Sequence, residues 1–280
     1  MTGIEDVSNH YNSGALLERI DAALREGGAD PENIGVDDLK PVDEFHTGGI
    51  EATTALLDQL AIAPGMTVLD IGCGLGGTAR HIVHRYGAKV IGVDLTEEFV
   101  ETARALNARL HLDEAIDLHV GSALDLPLTD ASADLVCMFH VGMNIADKDA
   151  LFAEVSRVLK PGSLFALFDV MEGEDGLAGM AYPVPWAGSA EISHLHLPGT
   201  YRRAAHAAGL GEHTERDRSP FALDYFDRVF RMIEAHGLPP LGIHLLMGET
   251  AGEKIQNYVE NVKAGRIAPT EMIFEKPEDT

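Results

Sequence analysis

The chain is poor in cysteine, tryptophan and basic residues, and each shortage excludes something. Two cysteines, Cys73 and Cys137, and one tryptophan occur in 280 residues. Two thiols cannot build a disulfide framework or a thiolate zinc site, and both lie in apolar, strand-like runs, so they are expected to be reduced and no metal is expected. Lys and Arg number 21 against 45 Asp and Glu, a formal charge of −24 with the 13 His neutral. A surface so acidic repels phosphate backbones and anionic lipid, which argues against nucleic acid or a membrane as partner. The charge acts first as a solubilising surface and suits a salt-tolerant cytoplasm. No apolar run reaches the roughly 18 residues of a membrane span. The opening MTGIEDVSNHY is acidic and polar where a secretory signal has a basic and then an apolar stretch, so the expected location is cytoplasmic. Neither the H-E-x-x-H pair of a zinc protease nor the G-x-S-x-G elbow of a hydrolase occurs.

What is present is an ordinary globular composition, 45% hydrophobic and 24% charged, with enough chain for one large α/β domain or two small ones. Residues 14–26 carry Leu16, Leu17, Ile20, Ala23 and Leu24 at helical spacing, behind a possible Ser13 cap and ahead of Gly27-Gly28. The stretch GADPENIGVDDLKPVDEFHTGG has no period and reads as a long loop or lid. A second helix is expected over 50–61. From Met66 the chain alternates β-rich runs (MTVLDI, AKVIGVDL, IDLHVGS, ADLVCMFHV, SLFALFDVM) with helical segments. That alternation means βαβ units, hence a Rossmann-like parallel sheet with helices on both faces. Ligands of such sheets lie at the carboxyl ends of the strands, here after Asp70, Asp94, Gly121 and His140. Beyond Met171 a Gly/Pro-rich loop with aromatics precedes a short helix TYRRAAHAAGL, helices over 221–236 and 250–264, and a closing strand EMIFEKP.

The densest motif is Val68-Leu69-Asp70-Ile71-Gly72-Cys73-Gly74-Leu75-Gly76-Gly77, a strand turning through glycines into a helix. Gly72, Gly74 and Gly77 satisfy G-x-G-x-x-G, and Asp94 falls near the spacing of a ribose-binding acid, so a nicotinamide-dependent oxidoreductase has to be weighed. Asp70 counts against it. A carboxylate two residues before the first glycine repels a pyrophosphate but suits the cationic amino-acid end and sulfonium of S-adenosylmethionine. Asp94, closing the run KVIGVD, can accept both ribose hydroxyls while Leu95 packs on adenine. A cap of the following helix is the plainer alternative for Asp94.

The strings VLDIGCGLGG, VIGVD, GSALDLPLTDASADLV and EVSRVLKPGS, in that order over roughly residues 50–172, resemble the class I S-adenosylmethionine-dependent methyltransferases. VSNHYN, DEFHTGGIEAT and the aromatic loop after the fifth strand resemble the small-molecule branch that includes sarcosine/dimethylglycine N-methyltransferases and natural-product and quinone methyltransferases. The resemblance implies an α/β, mostly parallel sheet whose last strand is antiparallel, with an N-terminal helix and lid segment over 1–49. The methyltransferase domain would span 50–280, with acceptor-pocket insertions at about 172–197 and 220–265. It implies that Asp70, Gly72 and Gly74 line the amino-acid moiety of S-adenosylmethionine, that Asp94 and Leu95 hold ribose and adenine, and that Ser122 and Ala123 flank the adenine edge. Ser122 stands where many members carry an acid, for which Asp125 is a substitute or a turn residue. His140, after the fourth strand, and His46, in the lid, are the candidate catalytic bases, and either could instead be a surface or core histidine.

Tyr11, Phe168, Tyr182 and Trp186 are the candidate acceptor-pocket residues, because rings facing a methylated ammonium stabilise it. Trp186 could equally anchor its loop on the core. Arg202 and Arg203 sit at exposed spacing. The expected function is methyl transfer to a small-molecule acceptor, foremost an amine nitrogen such as that of sarcosine or dimethylglycine. O-, C- or S-methylation of another metabolite and a non-catalytic S-adenosylmethionine-binding protein are the alternatives. Oligomeric state leaves no trace in the sequence.

Overall fold

The computed structural model describes residues 15–278; the Ser13 cap and Tyr11 lie outside them. Three helices precede the first strand: α1 (Leu16–Glu26), α2 (Val36–Asp43) and α3 (Gly49–Leu57). The first half of the sheet follows as β1 (Thr67–Ile71), α4 (Gly77–Tyr86), β2 (Lys89–Asp94), α5 (Glu97–Arg109) and β3 (Ile116–Val120). Next come β4 (Ala133–Phe139), a 3₁₀ turn at Gly142–Asn144, α6 (Lys148–Val158) and β5 (Leu159–Glu172). The remainder is α7 (Pro198–Ala207), β6 (Gly211–Asp217), α8 (Ser219–His236), α9 (His244–Met247), α10 (Ala251–Lys263) and β7 (Ile267–Glu275).

The strands form one seven-stranded sheet in the order β3-β2-β1-β4-β5-β7-β6. β1 to β5 pair in parallel, and β7 runs antiparallel to both β5 and β6. The last strand is therefore antiparallel, as expected. The order reverses between β1 and β4, and the crevice at their carboxyl ends is where such sheets bind ligands.

Side chains alternate along each strand and so serve two cores. Leu69, Ile71, Val136, Met138, Phe165 and Leu167 face α6 and α7, where Leu151, Phe152, Val155 and Tyr201 cover them. Val68, Leu135, Cys137, Phe139 and Phe168 face the other way, under Leu56 and Leu57 of α3 and Ile82 of α4. Both cysteines are buried and free, and Cys73 occupies the glycine turn rather than a strand. Among the described residues no helix is long and apolar enough to cross a membrane.

Two sequence expectations need correction. The stretch 28–49 is not an aperiodic loop, because α2 forms inside it with Pro41 in its interior. Asp38 accepts the Gly35 N–H at 2.8 Å, and Leu39 and Val42 are fully buried with Leu75, Phe99 and Leu106. That burial outweighs the hydrogen bond a helical proline removes. The second correction is an addition: β6, GEHTERD, lies between two expected helices where the sequence announces no strand, because it carries no apolar alternation and is largely exposed. It is the sheet edge, where charged side chains discourage pairing with another chain.

Candidate active site

β1 ends at Ile71 and the chain turns sharply at Gly72, whose φ of +71° is left-handed. A Cβ there would lie 2.1 Å from Val141 Cγ2, so only glycine lets the loops after β1 and β4 meet. Gly77, opening α4, admits the end of α2 in the same way: a Cβ would lie 2.4 Å from the Asp43 carbonyl oxygen. Against that contact Asp43 forks onto the fully buried guanidinium of Arg80, which also donates to Asn107 Oδ1 at 2.8 Å. The N-terminal segment is thereby pinned over the glycine turn by a buried ion pair.

A cavity of about 350 Å³ opens at this point. Asp70, Gly72, Gly74, Asp94, Leu95, Ser122, Ala123 and His140 all line it. Asp70 is 2% exposed, and its Oδ2 has no hydrogen-bond partner. Burial, then the charges of Glu44 and Asp94, push its carboxyl well above the usual range, with only the Cys137 thiol, 3.7 Å from Oδ1, acting the other way. Such a group becomes a comfortable anion only with a cation against it. The ammonium and sulfonium of S-adenosylmethionine meet that demand, and a pyrophosphate does not.

Asp94 accepts the Gly74 N–H at 2.9 Å through Oδ2 and the Thr96 N–H at 2.8 Å through Oδ1. The N-cap residue of α5 is Thr96, so Asp94 is not the helix cap; it ties the glycine turn to the start of α5 beside the cavity. Burial raises its carboxyl pKa against those two backbone bonds. Asp125 lies in a tight turn, its N–H donating to the Ser122 carbonyl at 3.1 Å, and stays off the cavity wall.

His140 has a left-handed φ of 52°, uncommon for a residue other than glycine, and its N–H donates to the Phe168 carbonyl at 2.7 Å. Its Nε2 is buried without a partner. Burial, then the neighbouring His46, hold the imidazole well below its ordinary pKa, so it is neutral at pH 7. His46 also lines the cavity, stacked on Phe139 at 4.9 Å, but both its nitrogens are engaged: Nε2 lies 2.8 Å from Glu44 Oε2 and Nδ1 3.2 Å from the Thr47 carbonyl. Both ring nitrogens are thus occupied by groups of the protein itself, and His46 holds Glu44 in place. Glu44 also accepts from Thr53 at 3.0 Å and Thr78 at 3.1 Å. Burial raises its pKa, but the bonds and charge of His46 and the two threonine hydroxyls outweigh it and leave the carboxyl below the usual range.

Glu44 was missed by the sequence reading, although it lies in the same DEFHTGG string as His46. The remaining wall comes from the downstream segments: Trp186 and His194, then Phe226 of α8, Leu246 of α9, and Ile255 and Tyr258 of α10. Trp186 and Tyr258 meet edge-to-face at 6.2 Å, and Trp186 Nε1 donates to Ser193 Oγ at 2.9 Å. Two expected wall residues stand behind it. Phe168 packs beneath His140 at 5.0 Å, and Tyr182 packs in the apolar cluster around Trp186. Neither lines the cavity. Arg202 pairs with Glu212 and Glu215, away from the cavity.

The fold, the glycine turn and two buried acids at the strand ends, Asp70 with a free Oδ2 and Asp94 on the cavity wall, fit a nucleoside-binding α/β enzyme whose ligand is cationic. The family description "Methyltransferase domain" matches residues 69–167. The chain is 30% identical to the sarcosine/dimethylglycine N-methyltransferase of Halorhodospira halochloris, over 94% of this chain and 88% of that protein. It is also 30% identical to the dimethylglycine N-methyltransferase of Parasynechococcus marenigrum, over 68% of this chain and 67% of that one. A geranyl diphosphate C-methyltransferase from Streptomyces coelicolor A3(2) shares the fold, with a TM-score of 0.71 and 22% identity over 99% of this chain and 98% of that one. The chain belongs to the class I S-adenosylmethionine-dependent methyltransferases and is an enzyme of that family.

Proposed function

We propose that the chain methylates the nitrogen of a small amine, with sarcosine and dimethylglycine, the acceptors in its relatives' names, as the first compounds to test. The observation that carries this reading is the acceptor side of the cavity. There the rings of Trp186, Phe226 and Tyr258 form a contiguous aromatic wall, with Phe226 and Tyr258 5.4 Å apart, in one cavity with Glu44, which His46, Thr53 and Thr78 hold by hydrogen bonds. Aromatic faces and a carboxylate stabilise an amine as it becomes a more substituted ammonium.

Bound S-adenosylmethionine supplies a methyl group already activated by its sulfonium. The chain then has to align a nucleophile in line with that methyl and keep water out. Asp70 would fix the cationic amino-acid end, and Asp94 the ribose. The α2 segment, held by Asp43 and Arg80, closes the cavity over the glycine turn. His140, neutral and with an unpartnered ring nitrogen, is the group placed to hold or accept a proton from the acceptor nitrogen.

The test is a methyl-transfer assay with isotopically labelled cofactor on a panel of amines, phenols, thiols and alkenes, with product identity read by mass spectrometry. N-methylated product is the expected result. Transfer confined to oxygen, carbon or sulfur would replace the amine reading with the corresponding one.

A further inference from the structure

The charges around the cavity are one-sided. Its wall carries Asp43, Glu44, Asp70, Asp94 and Asp147, and among the described residues no Arg or Lys lines it. Residues 1–14 and 279–280, outside the described part, contain neither Arg nor Lys. Two buried cations bond to wall residues without facing the cavity. Arg80 is committed to Asp43 and Asn107. Lys148 gives its ammonium to the carbonyls of Gly142 at 2.8 Å, His194 at 3.1 Å and Ile145.

The wall imidazoles do not redress the balance. His46 is tied to Glu44 and the Thr47 carbonyl, and burial keeps His140 neutral. His194 is pushed below its ordinary pKa by burial and by the charges of Lys148 and His196.

We infer that the acceptor is an amine bearing no carboxylate or phosphate: an amino alcohol or a simple alkyl or aryl amine rather than an amino acid. The inference rests on the amine reading above and narrows it. The nucleophile in methyl transfer is the free amine, so an amino acid reaches the reactive state as a net anion. In this cavity it would be desolvated beside buried carboxylates with no fixed cation to pair with it. An amino alcohol reaches the same state neutral, and its hydroxyl needs only neutral partners, of which Thr47 and Asn144 line the wall. The cofactor's own carboxylate escapes this objection because it arrives on a molecule that also carries an ammonium and a sulfonium.

Matched pairs differing only at the tail test this on the full chain with saturating S-adenosylmethionine: sarcosine against N-methylethanolamine, and N,N-dimethylglycine against N,N-dimethylethanolamine. Initial rates of S-adenosylhomocysteine release give kcat/KM for each. The alcohols are expected to exceed the acids by at least about tenfold, the ratio that corresponds to about 1.4 kcal/mol. A ratio below tenfold, or a preference for the acids, overturns the inference and leaves the amine reading standing. If neither pair turns over, the wider amine panel decides: turnover of an amine carrying a carboxylate or phosphate overturns the inference, and methyl transfer to no amine at all overturns both.

Discussion

Replacing Asp94 by Asn keeps the side chain's size and removes what the structure asks of it. The two carboxylate oxygens accept one backbone N–H each, from Gly74 at 2.9 Å and Thr96 at 2.8 Å. An amide has a single acceptor oxygen, so one N–H is left facing an NH₂ group, and the surviving bond loses its charge assistance. A hydrogen bond to a charged group contributes about 1.5–3 kcal/mol and a neutral one about 1 kcal/mol. The anionic acceptor offered to the ribose diol disappears at the same time.

The expected loss of S-adenosylhomocysteine affinity is about 2–3 kcal/mol, or roughly 30- to 150-fold. Calorimetric titration at neutral pH measures it, with a thermal melt confirming that the variant is folded. Burial already raises the Asp94 pKa, so lowering the pH should weaken binding in the natural chain by protonating the same oxygens, while the amide variant shows no such component. A folded Asp94→Asn protein that binds within about threefold of the natural chain would refute the assignment of Asp94 as ribose anchor.

Asp43→Ala strands the fully buried Arg80 with only Asn107, which should cost about 3–5 kcal/mol in urea unfolding; a loss under about 1 kcal/mol removes the pair as the fastening of α2. Trp186→Phe retains an aromatic wall but loses the bond to Ser193, and should raise the acceptor KM several-fold while S-adenosylhomocysteine affinity stays within about twofold. An unchanged KM takes Trp186 out of acceptor recognition.

Burial pushes Lys148 down from 10.5 to about 8. The folded protein then binds this proton less tightly than the unfolded chain, so its contribution to stability is complete above 10.5 and is lost as pH falls through about 8. The natural chain should accordingly gain on the order of 3 kcal/mol relative to Lys148→Met between those limits. Parallel pH–stability curves for the two proteins would contradict that.

The parts legible in the sequence are those that local chemistry dictates. The run from Val68 to Gly77 announces a strand, a left-handed turn and a helix start, because glycine alone allows φ of +71° at Gly72. Apolar runs at βαβ spacing likewise give a mostly parallel sheet and put Asp70, Asp94 and His140 at the carboxyl ends of its strands. Other features depended on partners far along the chain. α2 exists despite Pro41 because Leu39 and Val42 bury against Leu75 and Phe99. β6 exists despite its polar sequence because β7 supplies its hydrogen bonds.

Glu44 gained importance only when Thr78 closed on it from the helix after the glycine turn. Phe168 and Tyr182 are aromatic residues in the expected neighbourhood, yet neither lines the cavity: Phe168 is buried against His140, and Tyr182 packs half-buried in the cluster around Trp186. Turn geometry and side-chain periodicity are set by neighbours in the chain, so the sequence by itself determined the fold class and the acids at the carboxyl ends of β1 and β2. Burial, the pairing of charges and the absence of a basic side chain from the cavity wall are set by which distant segments pack together, and those the tertiary structure decided.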